Sequence, residues 1–426
     1  MKKVLIISYY WPPSGGAGVQ RWLKFAKYLP HYGWEPVILT VDPEYATYPA
    51  LDPGLGKELP GSLKVYRTKA TDWFRFYAKD KTKVPSAGFA TNADNSFKGK
   101  ISRFIRGNFF IPDPRKGWNS FAFKKACEII NNEDINYIIT TSPPHSTQLI
   151  GLRLKKKFPR INWVCDLRDT WTDIYYYDLF YPTPLAKLID RQYEQKVLTV
   201  ADRILTVGDN LALSFGKSIP GSKKITVIPN GYDEEDFTDI TTSRSERFTI
   251  SYIGTISASY PINGLLKALK TLADSGQDFI LRFAGAVPEQ IKTEIVTVLG
   301  ETRTEFAGYL EHKLAIRMLK SSDLLLLVIP DTKQNKIITP GKVFEYLATG
   351  KPVLYIGPSD GDAARHLTSC SHKGLFDPSD TDKMIKFIRE TMDCPSEDKE
   401  MKYRRYSRQK LTGELSTMLN SIADVR

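Results

Sequence analysis

Hydrophobic positions along the chain fall into short runs that alternate with amphipathic stretches. Residues 4–8 form an apolar run typical of a buried parallel strand. Residues 19–32 follow with apolar positions such as Trp22 and Leu29 at helical spacing, and Gly33 is expected to end that helix. The alternation predicts further strands at residues 36–40, 137–141, 162–166, 203–207 and 224–228, and helices at 118–131 and 146–157. Strands and helices in this order form a doubly wound parallel sheet.

A second series of the same kind begins near residue 249. It predicts strands at residues 249–253, 279–284, 305–307, 324–328 and 353–356, with helices at 260–274, 288–298 and 341–349. The two series predict an α/β chain with two Rossmann-like, doubly wound parallel-sheet domains.

Turn-forming residues at 229–233 (PNGYD) mark the break between the two series. We therefore predict an N-terminal domain at residues 1–230 and a C-terminal domain at 231–400. A last amphipathic, basic helix at about 397–422 has no strand after it, so residues 401–426 are expected to pack back on the N-terminal domain. Residues 43–114 fit the alternation poorly and are interpreted as an insertion of loops and short helices.

Composition places the chain among soluble globular proteins. It has 426 residues, of which 42% are hydrophobic and 25% charged, which excludes a disordered or collagen-like chain. The four cysteines form no CxxC pair, and no apolar run approaches the roughly 20 residues that span a bilayer. These features favour a cytoplasmic protein.

The net charge of +12 indicates an anionic partner, such as a nucleotide or a membrane surface. Nucleic acid is not expected to be that partner, because the basic residues are dispersed and no nucleic-acid-binding module is recognised. No cluster of histidine, cysteine and acidic residues has the spacing of a zinc site, so no metal is expected.

Residues 12–18 (PPSGGAG) connect the first strand to the first helix. Ligands of open α/β sheets bind beyond the carboxyl ends of the strands, where glycines such as Gly15 and Gly16 let backbone N–H groups approach a phosphate. The segment is neither a GxGxxG fingerprint nor a P-loop, so a tight strand–helix turn is the alternative.

Two further segments of the N-terminal half follow predicted strands. His145 lies beside Ser146, the expected N-cap of a helix, where an imidazole can bind a sugar hydroxyl or a developing charge; a surface-loop histidine is the alternative. Asp166, Arg168 and Asp169 can bind a polyol on the acceptor side or form structural ion pairs.

Residues 337–353 place Gly341 and Lys342 in the first turn of a helix, with Glu345 one turn further on the same face. A helix N-terminus that carries a lysine can bind a diphosphate, and a carboxylate one turn further can accept hydrogen bonds from ribose hydroxyls.

Taken together, these motifs resemble those of bacterial glycosyltransferases of family four, which have the GT-B fold of two facing Rossmann-like domains and a terminal helix that crosses back to the N-terminal domain. The matching segments are the glycine loop, the His145 loop, residues 228–233, 252–254 (YIG), 283–285 (FAG), 307–309 (AGY) and 342–353 (KVFEYLATGKPV).

The resemblance implies a transferase that moves a sugar from a nucleotide-sugar donor, bound by the C-terminal domain, to a saccharide or lipid-linked acceptor in cell-surface polysaccharide biosynthesis. Members usually retain the anomeric configuration and need no divalent metal, and the nucleotide-sugar is a substrate, so no cofactor is expected. By position, Glu345 matches the ribose-binding glutamate, Gly15 and Gly16 the loop near the diphosphate, and His145 the histidine near the sugar. Gly254 matches the glycine that follows the first strand of the donor domain.

Two departures from the family pattern are evident. The glutamate expected eight positions before Glu345, with seven residues between the two, is replaced by Ile337. This leaves Thr339, the backbone of Pro340 and Gly341, or a group elsewhere to contact the sugar. The Arg and Lys often found after Gly254 are also absent, so Lys342 is the leading candidate to stabilise the leaving diphosphate. A degenerate nucleotide-sugar-binding subunit and a nucleotide-sugar epimerase are therefore the alternative functions.

Residues 97–110 (FKGKISRFIRGNFF) interleave cations with apolar side chains. Such a helix can lie in an anionic membrane interface, which would make the protein peripheral on the inner face of the cell membrane. The alternative is a surface helix whose apolar face, with Ile101, Phe104 and Ile105, packs into the core.

Overall fold

The computed structural model describes residues 1–48, 51–52, 54–73, 96–238, 240, 245–394 and 401–423. The chain divides into two compact units, one of Met1–Pro229 with Arg408–Arg426 and the other of Asn230–Ser407. The sequence had placed the breaks at residues 230 and 400.

A seven-stranded sheet forms the centre of the first unit, and every strand pairs in parallel. Its strands are β1 (Lys2–Ile7), β2 (Trp34–Val41), β3 (Lys64–Thr68), β4 (Tyr137–Ser142), β5 (Asn162–Leu167), β6 (Arg203–Thr206) and β7 (Ile225–Val227). The spatial order is β3-β2-β1-β4-β5-β6-β7, so the direction of winding reverses between β1 and β4. This reversal is where an open α/β sheet binds its ligand.

The second unit contains a six-stranded parallel sheet. Its strands are β8 (Phe248–Ile253), β9 (Phe279–Ala284), β10 (Thr304–Gly308), β11 (Leu324–Val328), β12 (Val353–Ile356) and β13 (Leu375–Phe376). The order is β10-β9-β8-β11-β12-β13, with the reversal between β8 and β11. The predicted fold class of two doubly wound parallel sheets is confirmed.

Helices connect the strands in both units. They are α1 (Ala17–Tyr28), α2 (Phe97–Phe109), α3 (Asn119–Glu133), α4 (Ser146–Lys157), α5 (Pro184–Val200), α6 (Asp209–Ser218), α7 (Asn263–Asp274), α8 (Glu289–Leu299), α9 (His312–Ser321), α10 (Lys342–Thr349), α11 (Asp362–Ser369), α12 (Thr381–Asp393) and α13 (Arg408–Ala423). Across the described residues, no helix combines the length and the apolar character that crossing a bilayer requires.

Helix α13 packs in the first unit, against α1. Its buried residues Leu411, Leu415 and Leu419 share one core with Trp22 and Phe25 of α1. The segment assigned to this helix was too long: residues 395–400 lie outside the described residues, and Met401 to Ser407 belong to the second unit.

The interpretation of residues 43–114 as loops and short helices needs correction. Part of this segment is the regular strand β3, which pairs in parallel with β2 at the edge of the sheet. Another part is α2, a helix of 13 residues. It contains no buried residue, so the alternative that its apolar face packs into the core is wrong. Residues 74–95 lie outside the described residues.

Candidate functional site

The glycine loop follows β1 at the reversal point of the first sheet. Gly15 is buried, and a Cβ atom there would lie 3.1 Å from the Cβ of Asp52, whose backbone N–H donates to the carbonyl of Pro13 at 2.9 Å. Gly16 is exposed and has a φ of 102°, in the region that favours glycine. The loop is thus fixed on one side while its backbone at Gly16 faces outward.

Asp166, at the end of β5, is the centre of a fully buried polar network. Its Oδ2 accepts hydrogen bonds from Trp22 Nε1 and Thr141 Oγ1, both at 2.7 Å. The guanidinium of Arg21, which is also fully buried, lies 3.4 Å from Oδ1. Of the two roles predicted for Asp166, this environment fits the structural one, because no face of the carboxylate is accessible to a substrate.

Arg168 and Asp169 follow on the same loop. Arg168 Nε donates to the carbonyl of Ser142 at 2.9 Å and lies 3.9 Å from the Asp166 carboxylate. Its guanidinium packs over Gly18, where a Cβ atom would lie only 2.7 Å from Nη1. Burial raises the pKa of Asp169, and the neighbouring Arg168 partly offsets this. Arg168 therefore joins the ends of β4 and β5 to the start of α1.

His145 lies at the carboxyl end of β4, stacked on the indole of Trp171 with ring centroids 4.9 Å apart. Burial lowers the pKa of His145 to about 4, although Asp113 and a hydrogen bond with the Thr170 backbone act in the opposite direction. The imidazole is therefore neutral near pH 7. Its Nδ1 is buried and makes no hydrogen bond to the described residues.

Trp171 is held in turn by Asp190 of α5. Its Nε1 donates to Asp190 Oδ1 at 2.7 Å, and the hydroxyl of Tyr177 donates to Oδ2 at 2.9 Å. Burial raises the pKa of Asp190 to about 6, while these two hydrogen bonds lower it. Asp190 thus fixes the ring on which His145 stacks.

The start of α4 differs from the expectation. His145, not Ser146, occupies the N-cap position, and it makes no side-chain cap hydrogen bond. The cap is supplied by Asp113, whose carboxylate accepts from the backbone N–H of Ser146 at 2.8 Å and from its hydroxyl at 2.9 Å. A carboxylate from a distant segment therefore does the work that the sequence assigned to a local serine.

In the second unit, α10 contacts the end of β8 through two side chains. Lys342 Nζ donates to the carbonyl of Ile253 at 2.7 Å, and the backbone N–H of Ile253 donates to the hydroxyl of Tyr346 at 3.0 Å. The ammonium also lies 3.7 Å from the ring centroid of Tyr252, a cation–π contact. The helix N-terminus and the loop after β8 are thereby held next to each other, at the reversal point of this sheet.

Burial lowers the pKa of Lys342 to about 7, and Glu345 partly opposes the shift. The predicted first turn is present, with Gly341 as the N-cap and Glu345 one turn along. Thr339, just before the helix, has a buried Oγ1 that makes no hydrogen bond to the described residues. A buried lysine that titrates near neutrality is well suited to gain its proton when a phosphate arrives.

Gly254 and Gly285 make the closest backbone approach of this site. Their φ angles are 122° and 120°, and a Cβ atom on Gly285 would lie 2.3 Å from the carbonyl oxygen of Gly254. A Cβ atom on Gly254 would in turn lie 3.0 Å from Lys342 Nζ. The loops after β8 and β9 therefore require glycine, which leaves backbone rather than side chains facing the N-terminus of α10.

The predicted site residues divide between the two units. The first contains Gly15, Gly16, His145 and Arg168, and the second contains Gly254, Thr339, Gly341, Lys342 and Glu345. Sequence reasoning missed Asp113, Trp171, Asp190 and Tyr346, which position these groups. Tyr346 had a usable signal, since it lies one turn after Lys342 in the same motif. Asp113, Trp171 and Asp190 have no such signal in the sequence, because their partners are far away along the chain.

Residues 233–410 match the model of the family described as glycosyl transferases group 1. No match was found among curated proteins. The family match covers the unit that contains β8 and α10, and it agrees with the resemblance of the sequence motifs to those of glycosyltransferases.

Solved structures with the same fold are similar over the whole chain. Sucrose-phosphate synthase from Thermosynechococcus elongatus has a TM-score of 0.65 at 13% identity and covers 100% of both chains. Anabaena HepE in complex with UDP has a TM-score of 0.64 at 13% identity, over 99% of this chain and 100% of that one. A Listeria monocytogenes protein assigned as a UDP-N-acetylglucosamine 2-epimerase has a TM-score of 0.56 at 12% identity, over 100% and 98%. These identities establish the GT-B fold alone.

Proposed function

We propose that this chain, whose residues 233–410 match the glycosyl transferases group 1 family, transfers a sugar from a nucleotide-sugar to a saccharide or lipid-linked acceptor in cell-surface polysaccharide biosynthesis. The observation that carries the proposal is the pair of hydrogen bonds that connects α10 to the end of β8 inside the matched segment. There Lys342, Glu345 and the glycine loops of Gly254 and Gly285 lie at the reversal point of a doubly wound sheet.

In this proposal the diphosphate of the donor binds at the N-terminus of α10. The helix dipole and the Lys342 ammonium would stabilise the negative charge that develops on the leaving diphosphate, so no metal is required for that step. Glu345 would accept hydrogen bonds from the ribose, and Thr339 Oγ1 would contact the transferred sugar in place of the missing acid at Ile337.

The first unit would bind the acceptor and approach the transferred sugar through Gly15, Gly16 and His145. A neutral His145 can accept a hydrogen bond from a sugar hydroxyl, whereas an imidazolium cannot. We propose transfer with retention of the anomeric configuration, and a cytoplasmic location with peripheral attachment to the inner face of the cell membrane.

Donor binding can be tested by calorimetry with a panel of nucleoside diphosphates and nucleotide-sugars, starting with UDP and UDP-glucose, with which Anabaena HepE was solved. Glu345→Gln and Lys342→Met should each weaken binding by about 1–3 kcal/mol, because charge-assisted hydrogen bonds are lost. Matched exchanges at the exposed Glu294 and Lys313 should leave affinity unchanged. Undiminished affinity in both site variants would reject the assignment.

Assays on the same purified protein distinguish sugar transfer from two alternative functions. Ile337 at the expected acidic position favours a subunit that binds the donor without turnover, which would show as full affinity with no product on any acceptor. The epimerase alternative would convert the donor with no acceptor present. Proton NMR of the product linkage separates transfer from both and reports whether the configuration is retained.

A further inference from the structure

Tyr252 lies one residue before the end of β8 and is fully buried. Its ring faces the amino group of Lys342, whose Nζ lies 3.7 Å from the ring centroid. The same Nζ donates to the carbonyl of Ile253 at 2.7 Å. The amino group of Lys342 is therefore held between the π face of one residue of β8 and the backbone of the next.

Neighbours other than Lys342 hold the Tyr252 side chain in place. Its hydroxyl donates to the carbonyl of Thr255 at 2.8 Å, across Gly254 in the loop that follows β8. Its ring lies 5.7 Å from that of Phe283 in β9, which in turn stacks on Phe306 of β10 at 5.6 Å. The ring of Tyr252 is thus a support whose position is set by three strands and one loop.

The loop after β8 supplies no charge of its own, because residues 254–266 contain no lysine, arginine, aspartate or glutamate. An anion that binds beside this loop therefore depends on Lys342 of the neighbouring helix for a positive charge. Burial lowers the pKa of Lys342 to about 7, so contacts that favour the ammonium over the neutral amine matter near neutral pH. The π face of an aromatic ring is a contact of this kind.

We propose that Tyr252 is a positioning residue for the donor, because its ring holds the Lys342 ammonium at the N-terminus of α10, where that ammonium binds the diphosphate. The inference rests on the proposed function for the role of Lys342. Tyr252 is fully buried and does not itself touch the donor. Its effect on donor affinity must therefore act through Lys342, whereas a tyrosine that only fills the core would have no such dependence.

The test is a double-mutant cycle on the full chain, with Tyr252→Leu and Lys342→Met made singly and together. Leucine keeps an apolar side chain in the core and removes the π face. Tyr252→Phe keeps the ring and removes only the hydroxyl. Circular dichroism checks that each variant is folded, and Tyr252→Met replaces the leucine variant if that one is not. Calorimetry at pH 6.5 measures affinity for UDP, TDP, GDP and ADP, which share the diphosphate.

Tyr355 of β12 offers a matched control. It is fully buried in the same sheet, and its hydroxyl donates to the carbonyl of Pro358 at 3.0 Å, three residues further along, as that of Tyr252 does to Thr255. The cation–π contact of Lys342 is with Tyr252 and not with this residue. Tyr355→Leu should therefore lower stability in a similar way and leave nucleotide affinity unchanged.

We expect Tyr252→Leu to weaken nucleotide binding by about two- to thirtyfold, the range of a cation–π contact. Tyr252→Phe should bind as the wild type does. The double variant should bind no more weakly than Lys342→Met alone, because no ammonium is then left to position. Undiminished affinity in Tyr252→Leu, equal losses in Tyr252→Phe or Tyr355→Leu, or losses that multiply in the double variant would each overturn the proposal.

Urea unfolding without nucleotide separates this inference from the proposed function. In the same cycle, the effects of Tyr252→Leu and Lys342→Met on the folding equilibrium constant should fall short of multiplying by about twofold or more, since both remove one contact. Wild-type protein that binds none of the four nucleotides would overturn the proposed function, and effects that simply multiply in unfolding would then overturn the contact between ring and ammonium. Nucleotide binding that Tyr252→Leu leaves unchanged would overturn this inference alone.

Discussion

Two ionisable side chains, Lys342 and His145, lie where burial opposes their charged form. The pKa of Lys342 falls to about 7 and that of His145 to about 4. Desolvation is the largest cause in both cases, and the acidic neighbours Glu345 and Asp113 only partly offset it. Each side chain can therefore respond to a ligand that supplies or removes charge nearby.

His145 makes a specific contribution to the pH dependence of stability. Its pKa is lower in the folded chain than the ordinary 6.5, so the folded chain binds fewer protons between pH 6.5 and 4. The stability linked to this group is complete above pH 6.5 and is lost as the pH falls toward 4. His145→Gln should reduce the loss between pH 6.5 and 4.5 by about 1–3 kcal/mol in urea unfolding. An equal loss in variant and wild type would contradict a neutral, buried imidazole.

Asp166 should be important for stability because it is the carboxylate beside the buried Arg21. Asp166→Asn removes the negative charge 3.4 Å from the fully buried guanidinium, which should lower the free energy of unfolding by about 3–5 kcal/mol. The matched control, Asp178→Asn, removes an exposed ion pair and should cost no more than about 1 kcal/mol. Similar midpoints for the two variants would argue against the buried network.

For single residues, the sequence predicted where a side chain lies along a helix better than it predicted what that side chain does. Lys342 and Glu345 could be placed on one helical face from their spacing alone, and both lie in the first turn of α10. The acceptor of the Lys342 hydrogen bond could not be predicted, because Ile253 is 89 residues away along the chain. Asp166 could be assigned to either substrate or structure until its complete burial was known.

At the scale of elements, the loops after β8 and β9 depend on two glycines. Gly285→Ala would place a methyl group 2.3 Å from the Gly254 carbonyl oxygen and should cost about 2–4 kcal/mol of stability. Gly221→Ala is the control, because its φ of 74° is also positive but its Cβ would meet no neighbour within 4 Å. Thermal unfolding measures both, and equal destabilisation would attribute the effect to backbone strain alone.

Strand prediction succeeded for most strands of both sheets, including the edge strands β7 and β10, and it missed the edge strands β3 and β13. The bounds of β9, β11 and β12 agree with the prediction, and the continuous apolar runs of β11 and β12 are read directly from the sequence. The edge strand β3 (KVYRT) was missed, since none of its residues is buried and its apolar pattern is weak. Its position beside β2 follows from packing that no local signal encodes.

At the scale of the whole molecule, the last helix belongs to the same unit as the first strand. Leu415 and Leu419 of α13 are fully buried against α1. Leu415→Ala should therefore cost about 2–5 kcal/mol and increase hydrogen exchange in α1. Leu354→Ala, in the core of the second sheet, should do so in α7 instead. Exchange that rises equally in both helices after either change would show that the units unfold together.

The placement of α13 has a consequence for the order of events during synthesis. The second unit has all of its residues once Ser407 has left the ribosome, whereas the first unit lacks the helix that covers Trp22 and Phe25 until α13 follows. The part of the chain made first is therefore the last to be completed, which reverses the usual vectorial order. Nascent chains that stop between the two points carry an uncovered apolar face on α1, a feature that chaperones and proteases recognise.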